Sequence, residues 1–96
     1  MNDGDILELD DVDFEVRHTP GHTEGSICLV SHSEKVLFAG DTIFRESVGR
    51  TDLPGGSAEL LLKSIKEKIM TLDDDYKIYS GHGPMTSVGY ERSYNL

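Results

Sequence analysis

The chain has 96 residues, enough for one small domain. Nine Lys plus Arg against eighteen Asp plus Glu give a formal net charge of −9, which argues against a general nucleic-acid binder and against binding to an anionic membrane surface. Hydrophobic residues at 36% and charged residues at 28% exclude a disordered chain, and no apolar run approaches the roughly 18 residues of a membrane span. The first residues, Met1 to Asp5, are acidic and unlike a basic signal sequence. A single cysteine, Cys28, makes no intrachain disulfide and suits a reducing compartment, so the expected location is the cytoplasm. With Trp absent, the core must rely on Ile, Leu and Val.

Ile6-Leu7-Glu8-Leu9 is a strand candidate closed by Asp10-Asp11. Residues 12–17 then alternate strictly between apolar and polar, the period of a half-buried strand, and the two segments read as an antiparallel hairpin. Pro20-Gly21 forces a loop after His18. The apolar runs 26–30 and 35–39, separated by a polar turn at 31–34, predict two paired strands with both faces largely buried. An irregular stretch from Asp41 to Gly56 follows, and a loop of that length is more often functional than idle.

Ser57 is placed to cap a helix with Glu59 in its first turn. Ala58, Leu61, Leu62, Ile65, Ile69 and Leu72 recur at helical spacing, with Lys63, Lys66, Glu67 and Lys68 opposite, so the helix is amphipathic. Residues 76–79 form a short strand, 80–84 a tight loop, and 87–96 a weakly helical tail. The order strands, helix, strand makes the chain mixed α and β.

Three polar residues stand at predicted strand ends beside glycine: His22 after Gly21, Asp41 after Gly40, and His82 between Gly81 and Gly83. Glycine permits the tight turn that aims a side chain off a strand end. Imidazole and carboxylate together make a ligand set for zinc or iron. Separations of 19 and 41 residues do not establish such a site, and turn histidines with a strand-end Asp are the alternative. Cys28 reads as a buried thiol, His18 as a residue that orients its loop, and His32 as a solvated turn residue. The acidic clusters at 10–11 and 73–75 read as turn and helix-end chemistry, because calcium-loop spacing is missing.

The ordered motifs Thr19-Pro20-Gly21-His22-Thr23, Phe38-Ala39-Gly40-Asp41-Thr42 and Ser80-Gly81-His82-Gly83-Pro84 resemble those of the metallo-β-lactamase fold superfamily. The segment 47–56 is similar to its hydroxyacylglutathione hydrolase (glyoxalase II-like) branch, in the short form without an extra C-terminal substrate domain. This resemblance implies that His22, Asp41 and His82 are metal ligands, with Asp41 the catalytic carboxylate bridging two metals. It implies zinc, or alternatively iron or manganese, with two metals in the complete enzyme and one or none in this chain. Arg50 falls where the family places a cation facing the glutathione portion of the substrate; a solvated loop arginine is the equal alternative.

The family's His-x-His-x-Asp-His run is absent from these 96 residues. The expectation is therefore α+β, residues 1–96 being a single C-terminal half-domain of an αββα sandwich, an antiparallel-rich sheet with one amphipathic helix packed on it. The implied activity of the complete protein is metal-dependent hydrolysis of thioesters such as hydroxyacylglutathione, with this chain inactive alone. Its expected partner is the missing N-terminal half or a second copy of itself, with a small-molecule thioester as substrate of the complete enzyme. The alternatives are a non-catalytic half-domain that self-associates, and a fragment of an iron-dependent sulfur dioxygenase.

Overall fold

The computed structural model describes residues 3–9, 11–52, 55–81 and 83–95. Strands β1 (Ile6–Leu9) and β2 (Val12–His18) form the expected hairpin, with Ile6 opposite Glu15 and Leu9 opposite Val12. Asp11 turns the chain at φ 66°, a region that Asp visits more readily than most residues; Asp10 lies outside the described residues. β3 (Ile27–Ser31) pairs antiparallel with β2 and with β4 (Val36–Gly40).

The chain then leaves this sheet. It forms a separate two-stranded hairpin, β5 (Ile43–Phe44) with β6 (Ser47–Val48), inside the stretch expected to be irregular. Strands of two residues are too short to show a period, which is why the pattern did not reveal them. Helix α1 (Ala58–Ser64) runs on as a π-helical turn over Ile65–Ile69, where the Met70 N–H reaches back to the Ile65 carbonyl at 2.9 Å. β7 (Lys77–Ser80) returns parallel to β4, β8 (Thr86–Ser87) pairs antiparallel with β7, and α2 (Val88–Tyr94) closes the described chain. The sheet order is β1-β2-β3-β4-β7-β8. A parallel pair needs a long crossover connection, and α1 supplies it.

Cys28, Val30, Leu37, Ala39 and Ile78 point to one face of the sheet and pack with Leu61, Ile65, Ile69, Leu72, Tyr76 and Val88. The opposite face differs from the expectation that β3 and β4 are buried on both sides. Alternation sends Phe38 and Tyr79 to that face, 43% and 39% exposed. Their rings stack at 5.6 Å, and Phe14 joins them at 5.8 Å from Phe38. One face is thus a covered core and the other an uncovered aromatic strip.

The helix also departs from its expected face in detail. Leu62 is 46% exposed, whereas Ser64 is buried with its hydroxyl donating to the Pro20 carbonyl at 2.7 Å. Ser57 caps the helix by accepting the Leu60 N–H at 3.3 Å. Ser57→Ala is expected to lower stability by about 1 kcal/mol, read from chemical denaturation.

His32 keeps half of its side chain exposed, as expected of a turn residue, and also ties its turn to β2 and to Tyr76. Its Nδ1 lies 2.7 Å from the Tyr76 hydroxyl and its Nε2 2.8 Å from Glu15 Oε1. Glu15 also accepts from Arg17, whose Nη1 donates to the Lys68 carbonyl at 2.9 Å. The His32 hydrogen bond, and then Arg17, hold the Glu15 carboxyl below the ordinary carboxylate range. A depressed carboxylate contributes stability above its unfolded pKa, and that contribution is lost as pH falls through the folded value. Denaturation midpoints followed from about pH 6 to about pH 3 should therefore fall less steeply in Glu15→Gln than in the parent.

Candidate metal centre

Two loops at one end of the sheet build the site, and a buried polar seam ties them together. Thr19 Oγ1 lies 3.2 Å from Thr42 Oγ1 and 3.5 Å from Cys28 Sγ, all three residues being fully or almost fully buried. Burial pushes the Cys28 thiol up, which suits a packed thiol and not a nucleophile. His18 orients its loop as expected, with its Nε2 2.9 Å from the Glu24 carbonyl.

Helix α1 fixes the first loop from beneath. The Ser57 N–H donates to the Gly21 carbonyl at 2.7 Å, next to the Ser64 bond to Pro20. Gly21 has φ 143° and lies so close to α1 that a Cβ there would overlap the Leu61 backbone. His22 follows from this rigid turn. Its Nδ1 lies 2.7 Å from the Arg50 carbonyl, which only accepts, so Nδ1 carries a proton and Nε2 is the nitrogen left to serve as a ligand.

That Nε2 stands 3.8 Å from Asp41 Oδ2. Asp41 is aimed by the turn after β4, where Gly40 takes φ 55° and the Thr42 N–H returns to the Ala39 carbonyl at 3.0 Å. A third loop reaches the same place: the Gly81 N–H donates to the Gly40 carbonyl at 2.7 Å, and a Cβ on Gly81 would stand 3.1 Å from Asp41 Oδ1. The structure thus brings His22 and Asp41 together. His82, the third expected ligand, lies outside the described residues, and among the described residues no cluster of three His, Cys, Asp or Glu forms.

Two ligands on one zinc ion at ordinary bond lengths and a tetrahedral angle stand about 3.3 Å apart. The observed separation is close enough for a small side-chain rotation to close the difference. Donor type, tautomer and spacing therefore fit a metal ion. A cavity of about 320 Å³ opens beside the pair, lined by His22, Asp41, Phe44, Gly49 and Arg50.

Arg50 enters the site in a way that its side chain does not announce. Its backbone carbonyl orients His22, while its exposed guanidinium pairs with Asp52 through Nε at 2.8 Å and Nη2 at 3.0 Å. Gly49 is equally hidden in sequence: a Cβ there would overlap the Asp41 carbonyl oxygen and stand 3.3 Å from His22 Cβ.

A sheet with helices over one face, presenting imidazole and carboxylate donors at its strand ends, has the architecture of one half of an αββα sandwich. A family model described as Metallo-beta-lactamase superfamily matches residues 1–82, and the chain belongs to that superfamily. It is 46% identical over 93 residues to the hydroxyacylglutathione hydrolase GloC of Haemophilus influenzae, covering 97% of this chain and 44% of that protein. This likeness agrees with the glyoxalase II-like branch read from the motifs. Among solved structures, BLEG-1 B3 metallo-beta-lactamase superposes with TM-score 0.93 at 44% identity, covering 99% of this chain and 46% of that one. TTHA1623 in a di-iron-bound form gives TM-score 0.88 at 36% identity, with 99% and 46% covered. The chain spans less than half the length of each of these proteins. No described helix is long and apolar enough to cross a membrane.

Proposed function

We propose that residues 1–96 are the C-terminal half-domain of a cytoplasmic metal-dependent hydrolase acting on thioesters such as hydroxyacylglutathione. The observation that carries this reading is the His22 imidazole, held by the Arg50 carbonyl so that Nε2 faces Asp41 Oδ2 at 3.8 Å. His22, Asp41 and His82 are the proposed ligands, for zinc or alternatively iron or manganese. When bound, the metal activates water and polarises the scissile carbonyl.

The chain's own residues prepare that step. The Arg50 carbonyl keeps the proton on Nδ1 of His22, so no tautomer change is needed before Nε2 donates its lone pair. The Asp41 carboxylate would supply oxygen donors to that metal centre. Phe44 lines the cavity beside the pair. The Arg50 guanidinium, at the cavity rim, is the proposed contact for a carboxylate of the glutathione portion; this requires it to exchange its Asp52 pairing for the substrate.

The aromatic strip of Phe14, Phe38 and Tyr79 is the face on which the proposed N-terminal half packs. The same exposed strip supports the second reading, a half-domain that pairs with its own copy, because exposed apolar patches drive association.

Elemental analysis of chain purified without chelator, together with its mass in solution, separates the two. Adding the segment that precedes the matched region in the Haemophilus influenzae relative should then restore hydrolysis of a glutathione thioester, and Asp41→Ala should abolish it. A complex that forms and holds metal yet hydrolyses no thioester would overturn the substrate assignment. Oxygen consumption by an iron-loaded complex would favour dioxygenase chemistry instead. A metal-free homo-oligomer would favour the interaction module.

A further inference from the structure

Among the described residues the β5–β6 hairpin forms no strand pair with the main sheet, and strands of two residues do not hold a hairpin together in water unaided. Yet this hairpin sets much of the cavity. It links Asp41-Thr42 to Gly49-Arg50 and carries Phe44, so its path decides where the Arg50 carbonyl meets His22. Ile43 and Val48 anchor its two strands in the apolar core, and the turn between them needs a hold of its own.

We propose that Glu91 on the inner side of α2 and Asn95 just after its last turn are positioning residues for this cavity wall. Glu91 is 0% exposed, and a carboxylate is costly to bury unless its oxygens are hydrogen-bonded. Its Oε1 accepts the Glu46 N–H at 2.7 Å and Asn95 Nδ2 at 2.8 Å, and its Oε2 accepts the Thr86 hydroxyl. Asn95 Nδ2 also donates to the Ser47 carbonyl at 2.8 Å and the Phe44 carbonyl at 3.3 Å. Every one of these bonds to the hairpin ends on backbone, at residues 44, 46 and 47. The clamp therefore fixes the hairpin's course and not its side chains.

A simple packing contact would need none of this, since Val88 on the same helix already seats α2 in the apolar core. The hairpin also makes its turn at Glu46 with φ 59°, a strained conformation for a residue with a side chain. The bond from the Glu46 N–H to Glu91 anchors the chain at that residue. From there the effect passes through Ser47 and Val48 to Gly49, whose N–H donates to the Thr42 carbonyl at 3.1 Å, and to Arg50.

The relevance of this clamp to catalysis rests on the metal-centre reading, but its test does not. Amide hydrogen exchange on the full chain, without metal or substrate, compares the Gly49 N–H with the Val30 and Leu37 amides of the central sheet. Glu91→Ala should speed exchange at Gly49 by about tenfold or more beyond any change at Val30 and Leu37. Glu91→Gln should restore most of the protection, because its Oε1 still accepts from Glu46 and its new amide N–H donates to the Thr86 hydroxyl oxygen, which turns from donor to acceptor. If Glu91→Ala fails to fold, Asn95→Ala carries the same comparison, because it removes the bonds to Phe44 and Ser47. Equal acceleration at Gly49 and in the sheet would reduce the clamp to a stability contact, and no change at Gly49 would remove it altogether. Either result overturns the proposal while leaving the metal-centre reading to be judged by metal content and hydrolysis.

Discussion

Gly21→Ala should destabilise the fold by about 3–5 kcal/mol, or prevent folding, for two reasons that add. The backbone at φ 143° is a conformation that an L-residue adopts only under strain. The added methyl would also meet the Leu61 backbone, part of helix α1, which cannot yield as a flexible side-chain tip does. Relief would require the loop to lift off the helix, breaking the bond from the Ser57 N–H to the Gly21 carbonyl and drawing His22 from the Arg50 carbonyl. A domain of this size has roughly 5–15 kcal/mol to lose. Gly4→Ala is the matched control: its φ is 85°, but nothing lies within 4 Å of the added carbon, so a cost of about 1–2 kcal/mol is expected. Chemical denaturation of both variants decides the matter. Equal midpoints would mean that contact with α1 contributes nothing and that only backbone conformation matters.

This position shows how far the sequence could be read. Pro20-Gly21 announces a turn, and the alternation of residues 12–17 announces a strand, because both signals are local. The same holds for the Ser57 cap and for the helical spacing of Leu61, Ile65 and Ile69. Whether a face is covered is not local. Phe38 belongs to an apolar run that looks buried on both sides, yet only the side toward α1 has a partner in the described structure. Leu62 leaves its expected face while Ser64 is buried, because the Pro20 carbonyl waits beneath Ser64, a fact of tertiary structure. His32 likewise finds Tyr76 and Glu15 across 44 and 17 residues of chain.

The candidate centre divides along the same line. His22 and Asp41 are legible because each is a ligand type set beside glycine at a strand end. The Arg50 contribution is not, since the group that orients His22 is a backbone carbonyl that any residue would supply. Its side chain drew the expectation of substrate contact while its main chain did the observed work. Glu91 and Asn95 were hidden for a related reason: their partners are backbone groups of a hairpin that has no sequence period of its own.

Gly49→Ala should therefore strike the centre itself more than the fold around it. The added methyl would overlap the Asp41 carbonyl oxygen and press within 3.3 Å of His22 Cβ, so both candidate ligands stand in its way. Gly49 is buried, and its N–H bond to the Thr42 carbonyl leaves the hairpin little room to retreat. Overpacking of this kind costs about 1–3 kcal/mol in stability. The larger consequence is geometric: moving Asp41 by even about 1 Å spoils ligand placement that must be good to about half that distance. Zinc affinity of the complemented protein, measured by competition with a chelating dye, should fall by at least about tenfold, in line with the loss on disturbing a ligand's supporting contacts. Gly25→Ala, at an exposed position with nothing within 4 Å of the new carbon, should leave affinity unchanged. If Gly49→Ala binds zinc as tightly as the parent while losing the expected stability, His22 and Asp41 do not hold the metal together. The 3.8 Å approach of their side chains would then be a contact of the fold alone.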